Sequence, residues 1–277
     1  MRTNATSGLY SVVSMTEIKA VKRLGQHFLR DEGIITQLLA AIDPKPQQKI
    51  LEIGPGLGAL TLPVLERCHE LYAVELDHRV LQPLSEKAAA VGILHLIERD
   101  ILNIHFAEVA PAPIRIIGNL PYNLSSPILF HCVAQRSDIV DMHFMLQKEV
   151  VDRITAPVDT PAYGRLSVMI QLYCQVEALF DVPPEAFAPP PKVNSAVVRL
   201  IPQTQLTWNI ESIAHFECVV RSAFSQRRKM LRKSLAAYFE PKELMALDVD
   251  PTARAETIDG ASFARLANAL YLKEKNL

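Results

Sequence analysis

Lys49-Ile50-Leu51-Glu52-Ile53-Gly54-Pro55-Gly56-Leu57-Gly58-Ala59 decides the fold of this 277-residue chain. A short apolar run ends in a glycine-rich turn, and a helical pattern opens beyond it, which is the strand–turn–helix start of a doubly wound α/β domain. Working outward, the same rhythm repeats. Candidate strands are 49–53, 71–75, 94–98, 114–118, 142–146, 176–181 and 196–200, and the helices between them include 60–68, 79–91, 127–135 and 164–173. Pro183-Pro184 and Pro189-Pro190-Pro191 mark rigid loops around the last strands. After about Pro202 the rhythm changes, and beyond Ile210 the segments read as helices alone. The expected organisation is an extension over residues 1–18, an α/β domain over 19–205 and a helical domain over 206–277.

Composition bounds the setting. The chain is long enough for one large domain with a smaller companion. No run approaches the ~18 apolar residues needed to cross a bilayer, so a cytoplasmic protein without membrane contact is expected. The first fourteen residues carry too short an apolar stretch for a secretory signal, which leaves Met15 as an alternative first residue. Cys68, Cys132, Cys174 and Cys218 have no paired spacing and read as free thiols of a reducing compartment. None of the eight histidines forms a ligand-type cluster in sequence with another His or Cys, so no metal is expected. A net charge of −1 excludes a uniformly basic nucleic-acid coat and leaves room for a local one.

Four strand ends carry the candidate chemistry. In Gly54-Pro55-Gly56-Leu57-Gly58-Ala59, glycine permits a tight turn and lets a ligand approach the backbone. Twenty-one residues after Gly54 comes Glu75, placed to accept hydrogen bonds from both hydroxyls of a ribose. These two features also satisfy a dinucleotide fingerprint, so a nicotinamide enzyme stays open at this point. Asp100, after the third strand, can accept from an adenine amine while Ile101 packs on the ring; a helix cap is its plainer reading. Asn119-Leu120-Pro121-Tyr122 follows the fourth strand. An exocyclic nucleobase amine is a poor nucleophile because its lone pair is delocalised. The Asn119 side-chain oxygen and a carbonyl of Leu120 or Pro121 can take its hydrogens and turn the lone pair out of conjugation, while Tyr122 stacks on the base. Hydride transfer has no use for that tetrapeptide. With Glu52, Glu75 and Asp100 in order before it, the chain reads as an S-adenosylmethionine site followed by its acceptor site.

The motifs together resemble the ribosomal RNA adenine dimethyltransferase family. The likeness is carried by Leu24-Gly25-Gln26-His27-Phe28-Leu29, Leu51 to Gly58, Val74-Glu75-Leu76-Asp77, Asp100 and Gly118 to Asn123. It continues through Phe144 to Glu149, Tyr163-Gly164-Arg165-Leu166-Ser167, Phe187 to Ser195 and Phe224 to Lys229, so that it covers roughly Lys19 to the C-terminus. The resemblance implies a Rossmann-like class I methyltransferase fold, with a seven-stranded, mostly parallel sheet and a small C-terminal all-helical domain. It implies that His27 and Leu29 fold over the cofactor, that Gly54 and Gly56 admit it, and that Glu75 holds its ribose and Asp100 its adenine. Asn119 then bridges cofactor and target. Many relatives have Asn where this chain has His27. The resemblance also points to Phe187 as a second ring clamping the flipped base opposite Tyr122, against the reading of Phe187 as a core plug. The implied activity is dimethylation of adjacent adenines in small-subunit ribosomal RNA on an assembling particle, by a monomer. Relatives that modify large-subunit RNA, and others that have become non-enzymatic assembly factors, define the alternatives.

A charge source for RNA is present locally. Between Cys218 and Leu235 lie Arg221, Arg227, Arg228, Lys229, Arg232 and Lys233 with no acidic residue. Drawn as one continuous helix, Arg221, Arg228, Lys229, Arg232 and Lys233 fall on an arc of about 140°, with Val220, Phe224, Leu231 and Leu235 opposite. That places an RNA-binding face on a packed helix, to which Lys19, Lys22 and Arg23 add.

Overall fold

The computed structural model describes residues 18, 20, 21, 25–226 and 228–276. The extension up to residue 17, the alternative start Met15, and Lys19, Lys22, Arg23, Leu24 and Arg227 lie outside the described residues. The chain runs β1 (Phe28–Leu29), α1 (Glu32–Ile42), β2 (Ile50–Ile53), α2 (Thr61–Cys68), β3 (Glu70–Glu75), α3 (His78–Ala88), β4 (Ile93–Glu98), β5 (Ile114–Asn119), α4 (Ser125–Ala134) and β6 (Ile139–Gln147). It continues through α5 (Lys148–Thr155), α6 (Arg165–Tyr173), β7 (Cys174–Val182), β8 (Phe187–Ala188), β9 (Ser195–Pro202), α7 (Ile213–Ser225), α8 (Leu231–Ser234), α9 (Pro241–Ala246) and α10 (Gly260–Lys275).

Seven strands form one sheet in the order β4-β3-β2-β5-β6-β9-β7. β4, β3, β2, β5 and β6 are parallel neighbours, and β9 inserts antiparallel between β6 and β7. All seven expected strands are present. β2 is buried on both faces, which is why it reads as a near-continuous apolar run rather than an alternation. One face packs Leu51, Ile53, Ile116 and Phe144 toward α4 and α6. The other packs Ile50, Leu71, Ile117 and Met145 under α1 and α2.

Two helices and a miniature sheet go beyond the expected elements. α1 starts where the Asp31 side chain accepts from the Ile34 N–H at 2.9 Å, and it buries Ile34, Leu38, Leu39 and Ile42 on one stripe. It ends at Asp43, which takes the left-handed conformation (φ 47°). α5 buries Val151 and Ile154 beside the sheet. β1 and β8 pair antiparallel, Phe28 with Ala188 and Leu29 with Phe187, which ties the N-terminal segment across the top of the sheet.

The helices beyond Ile210 add Phe216, Val219, Val220, Phe263 and Leu266 to the same buried cluster as the α4 and α6 side of the sheet. The connection is hydrogen-bonded to the end of α6, with Gln203 N–H donating to the Tyr173 carbonyl (2.8 Å) and Thr207 N–H to the Leu172 carbonyl (3.0 Å). Gly260 opens α10 with its Cα against the Trp208 indole, where no Cβ would fit.

The expected continuous basic helix is not formed. α7 stops at Ser225 and α8 starts only at Leu231. Between them the backbone takes other partners: Met230 bridges to Arg254, and the N–H groups of Leu231 and Arg232 donate to the carbonyls of Ala253 and Pro251. Tertiary hydrogen bonds replace the helical ones, so an arc drawn at 100° per residue does not hold across the break. The partition of side chains does hold. Arg221, Arg228, Lys229, Arg232 and Lys233 are exposed, while Val220, Leu231 and Leu235 are buried.

Candidate active site

β2 and β5 are adjacent, and the chain leaves them toward opposite edges of the sheet, so their carboxyl ends part around a crevice. Gly54, directly after β2, has φ +69° and open space where a Cβ would stand. Gly56, at φ +53°, faces the Phe28 ring, 3.3 Å from the position of a Cβ. The turn is a bare backbone ledge roofed by Phe28. Gln26 Nε2 fixes that roof by donating to Asp77 Oδ2 at 2.8 Å, and the β1–β8 pairing holds its other end.

Three carboxyl groups stand on the cleft wall. Glu75, at the end of β3, accepts from the N–H groups of Gly56 (3.1 Å), Leu76 (2.8 Å) and Asp77 (2.9 Å). Burial raises its pKa and those three donors oppose the shift. Glu52, on β2, is 2 % exposed and its Oε2 has no hydrogen-bond partner among the described residues. Burial pushes its carboxyl up to about 8, so at neutral pH it is an acid able to donate. Thr61, whose buried hydroxyl is likewise unpaired among the described residues, opposes that shift, and the two groups beside the glycine ledge suit a polar ligand that completes them. Asp100 caps the turn after β4, its Oδ1 accepting from Leu102 N–H at 3.0 Å, and lines the same cleft next to Ile101. The cap is thus observed, and the same side chain lies on the cleft where the adenine reading needs it.

The acceptor side is built at the end of β5. Gly118 passes so close to β2 that a Cβ would lie 2.7 Å from the Ile53 carbonyl oxygen, which brings Asn119 to the mouth of the crevice. Asn119 Nδ2 donates to the His27 carbonyl at 3.0 Å, leaving Oδ1 as an acceptor without a protein partner among the described residues. Pro121 O is occupied by Leu124 N–H (3.0 Å) and the Ser125 hydroxyl (3.3 Å). Among the described residues the Leu120 carbonyl has no such donor, so of the two expected carbonyls Leu120 is the free one there. Tyr122 is pinned through its hydroxyl to Ser195 Oγ at 2.6 Å, and burial raises its pKa. A glycine ledge, an unpaired amide oxygen, a free carbonyl and a fixed ring share one cleft.

The model of the ribosomal RNA adenine dimethylase family matches residues 18–271. This chain belongs to that family. It is 52% identical over 250 residues to a protein of Xanthomonas axonopodis pv. citri named ribosomal RNA small subunit methyltransferase A, an alignment that spans 90% of this chain and 95% of that one. The protein of the same name from Xanthomonas campestris pv. campestris is similar to the same extent. Among solved structures, a dimethyladenosine transferase from Plasmodium falciparum is 25% identical, with TM-score 0.76 over 91% of this chain and 99% of that one. The 23S rRNA methyltransferase ErmE has the same fold, with TM-score 0.71 at 24% identity over 88% and 99%. The fold is thus the Rossmann-like class I methyltransferase fold, and family membership decides against a nicotinamide enzyme.

The structure brings together His27, Leu29, Gly54, Gly56, Glu75, Asp100, Asn119, Leu120, Pro121 and Tyr122 around one cleft. Phe187, expected as the second clamping ring, does not line that cleft in this structure. Its side chain is 0 % exposed and packs among Leu29, Ile34 and Val197, because its pairing with Leu29 in the β1–β8 ladder turns it into the core. The ring stacked on Tyr122 is instead His27, with centroids 5.5 Å apart and planes 26° apart. Glu52 and Gln26 also line the cleft, and both stand within sequence motifs that assign them no role. The signal for Glu52 was an acidic residue inside a buried apolar strand. Among the described residues there is no group of three or more side chains able to hold a metal, and no helix is long and apolar enough to cross a membrane.

Proposed function

We propose that this chain uses S-adenosylmethionine to dimethylate the exocyclic 6-amino groups of two adjacent adenines near the 3′ end of small-subunit ribosomal RNA on an assembling particle. The bound cofactor supplies an electrophilic methyl group on a sulfonium. Gly54 and Gly56 give it a bare backbone, Glu75 accepts from the ribose, Asp100 from the adenine amine, and Phe28, His27 and Leu29 cover it.

The observation that carries the reading is the orientation of Asn119. With its amide nitrogen spent on the His27 carbonyl, its oxygen is left as an acceptor without a partner among the described residues, and so is the carbonyl of Leu120, which lines the same cleft. Two acceptors at that place take the amine's two hydrogens and align its lone pair, and Tyr122 holds the purine plane. After one methylation a single hydrogen remains, and a neutral amide tolerates the loss of one donor where a carboxylate would be left as an unpaired charge. No tuned base is required, because the alkylated nitrogen is cationic and releases its proton to water. Arg221, Arg228, Lys229, Arg232 and Lys233, all exposed on residues 206–277, supply phosphate contacts for docking.

Labelled methyl transfer to immature small subunits, followed by mapping of the modified nucleotides, tests the reading. The expected product is dimethyladenosine at two neighbouring positions. Modification of large-subunit RNA alone, or no transfer to any RNA, contradicts it.

A further inference from the structure

The Tyr122 ring, which the proposed function gives to the target adenine, is covered in this structure by a ring of the protein. His27 stacks on it. His27 Nδ1 lies 2.8 Å from the Pro189 carbonyl oxygen, and since a carbonyl only accepts, Nδ1 carries the proton of that bond. The His27 carbonyl in turn accepts from Asn119. One residue thus touches the base-stacking ring, the amide that aligns the amine and the proline-rich loop bordering the cleft. Phe187, in the core, is not available to Tyr122.

Two stacked rings 5.5 Å apart leave no room for a third between them, because a sandwiched base needs about 7 Å from ring to ring, twice the ~3.5 Å contact distance of carbon atoms. A base entering on the face of Tyr122 that His27 covers therefore meets the imidazole first. We infer that His27 belongs to the acceptor site as well as to the cofactor cover. Its imidazole holds the adenine's place on Tyr122 and swings off as the flipped base arrives. The inference rests on the proposed function. The flipped base takes over a stacking contact the protein already makes, so part of its stacking gain offsets loss of the imidazole contact. RNA affinity is correspondingly lower than in a chain with a ringless side chain at this position.

The test uses the full chain with immature small subunits at saturating S-adenosylmethionine. KM and kcat are measured for wild type, His27→Ala, His27→Asn and His27→Phe, with S-adenosylhomocysteine affinity followed separately by calorimetry. Loss of the ring in His27→Ala and His27→Asn lowers KM for the subunits about two- to tenfold, the range of one aromatic pair. His27→Phe keeps a ring without the Pro189 hydrogen bond, and its KM stays at or above that of wild type. An unchanged or raised KM in His27→Ala and His27→Asn, with weakened S-adenosylhomocysteine binding, overturns the inference and leaves His27 a cofactor residue alone. So does the same change in all three variants, which would report the lost hydrogen bond and not the ring. Absence of transfer by the wild type strikes at the proposed function itself, and the place-holding role falls with it.

Discussion

Glu52 shows how one buried side chain links the site to stability. Its carboxyl sits near 8 in the folded chain against an ordinary value of 4.5. Between those two pH values the folded state keeps a proton that the unfolded state has released. Stability therefore falls as pH rises through that window, with a limiting slope of about 1.4 kcal/mol per pH unit. Glu52→Gln removes this component. Denaturant midpoints measured between pH 5 and pH 8 are expected to fall more steeply for wild type than for Glu52→Gln; parallel curves would show that Glu52 ionises freely. Asn119, Glu75 and Asp100 were legible in the sequence because each stands at the end of a strand whose run is readable locally. The state of Glu52 was not, since it depends on burial under α2 and on the neighbouring Glu75 carboxylate. The His27 stack was equally hidden, as it joins residues 95 positions apart through a hairpinless crossing of the sheet top.

At the scale of elements, the two departures from expectation have one cause. Whether Phe187 faces the cleft or the core is set by the β1–β8 register, and whether α7 continues is set by the 251–254 segment that takes the Leu231 and Arg232 N–H groups. Both partners are distant in sequence, and helical periodicity contains neither. Phe187→Ala is expected to cost about 3–5 kcal/mol of unfolding free energy, as for a large core truncation, read from chemical denaturation. A loss below about 1 kcal/mol together with selective failure of turnover would return the ring to the cleft. The exposed cations on either side of the α7–α8 break keep their proposed role. If they meet phosphate, Arg228→Ala with Arg232→Ala weakens binding to the RNA and flattens the slope of log affinity against log salt by about 1–2. An unchanged slope would remove them from the docking surface.

At the scale of the whole molecule, the proposed donor and acceptor sites meet where the sheet order reverses between β2 and β5. All seven strands and four of the helices were readable from apolar runs and glycine or proline punctuation. The antiparallel insertion of β9 and the β1–β8 pairing that fixes the strap of residues 25–30 were not, because each is set by pairing between segments distant in sequence. That strap joins the two halves of the chemistry: Gln26 is anchored beside Glu75 through Asp77, Phe28 roofs Gly56, and His27 orients Asn119. The central claim is that Asn119, so oriented, aligns the target amine. Turnover of labelled methyl groups onto immature small subunits by Asn119→Ala, measured beside its S-adenosylhomocysteine affinity, tests this most directly. The account predicts a folded variant that still binds S-adenosylhomocysteine and whose turnover is lower by on the order of 10²–10³-fold. Turnover equal to that of the wild type would contradict it.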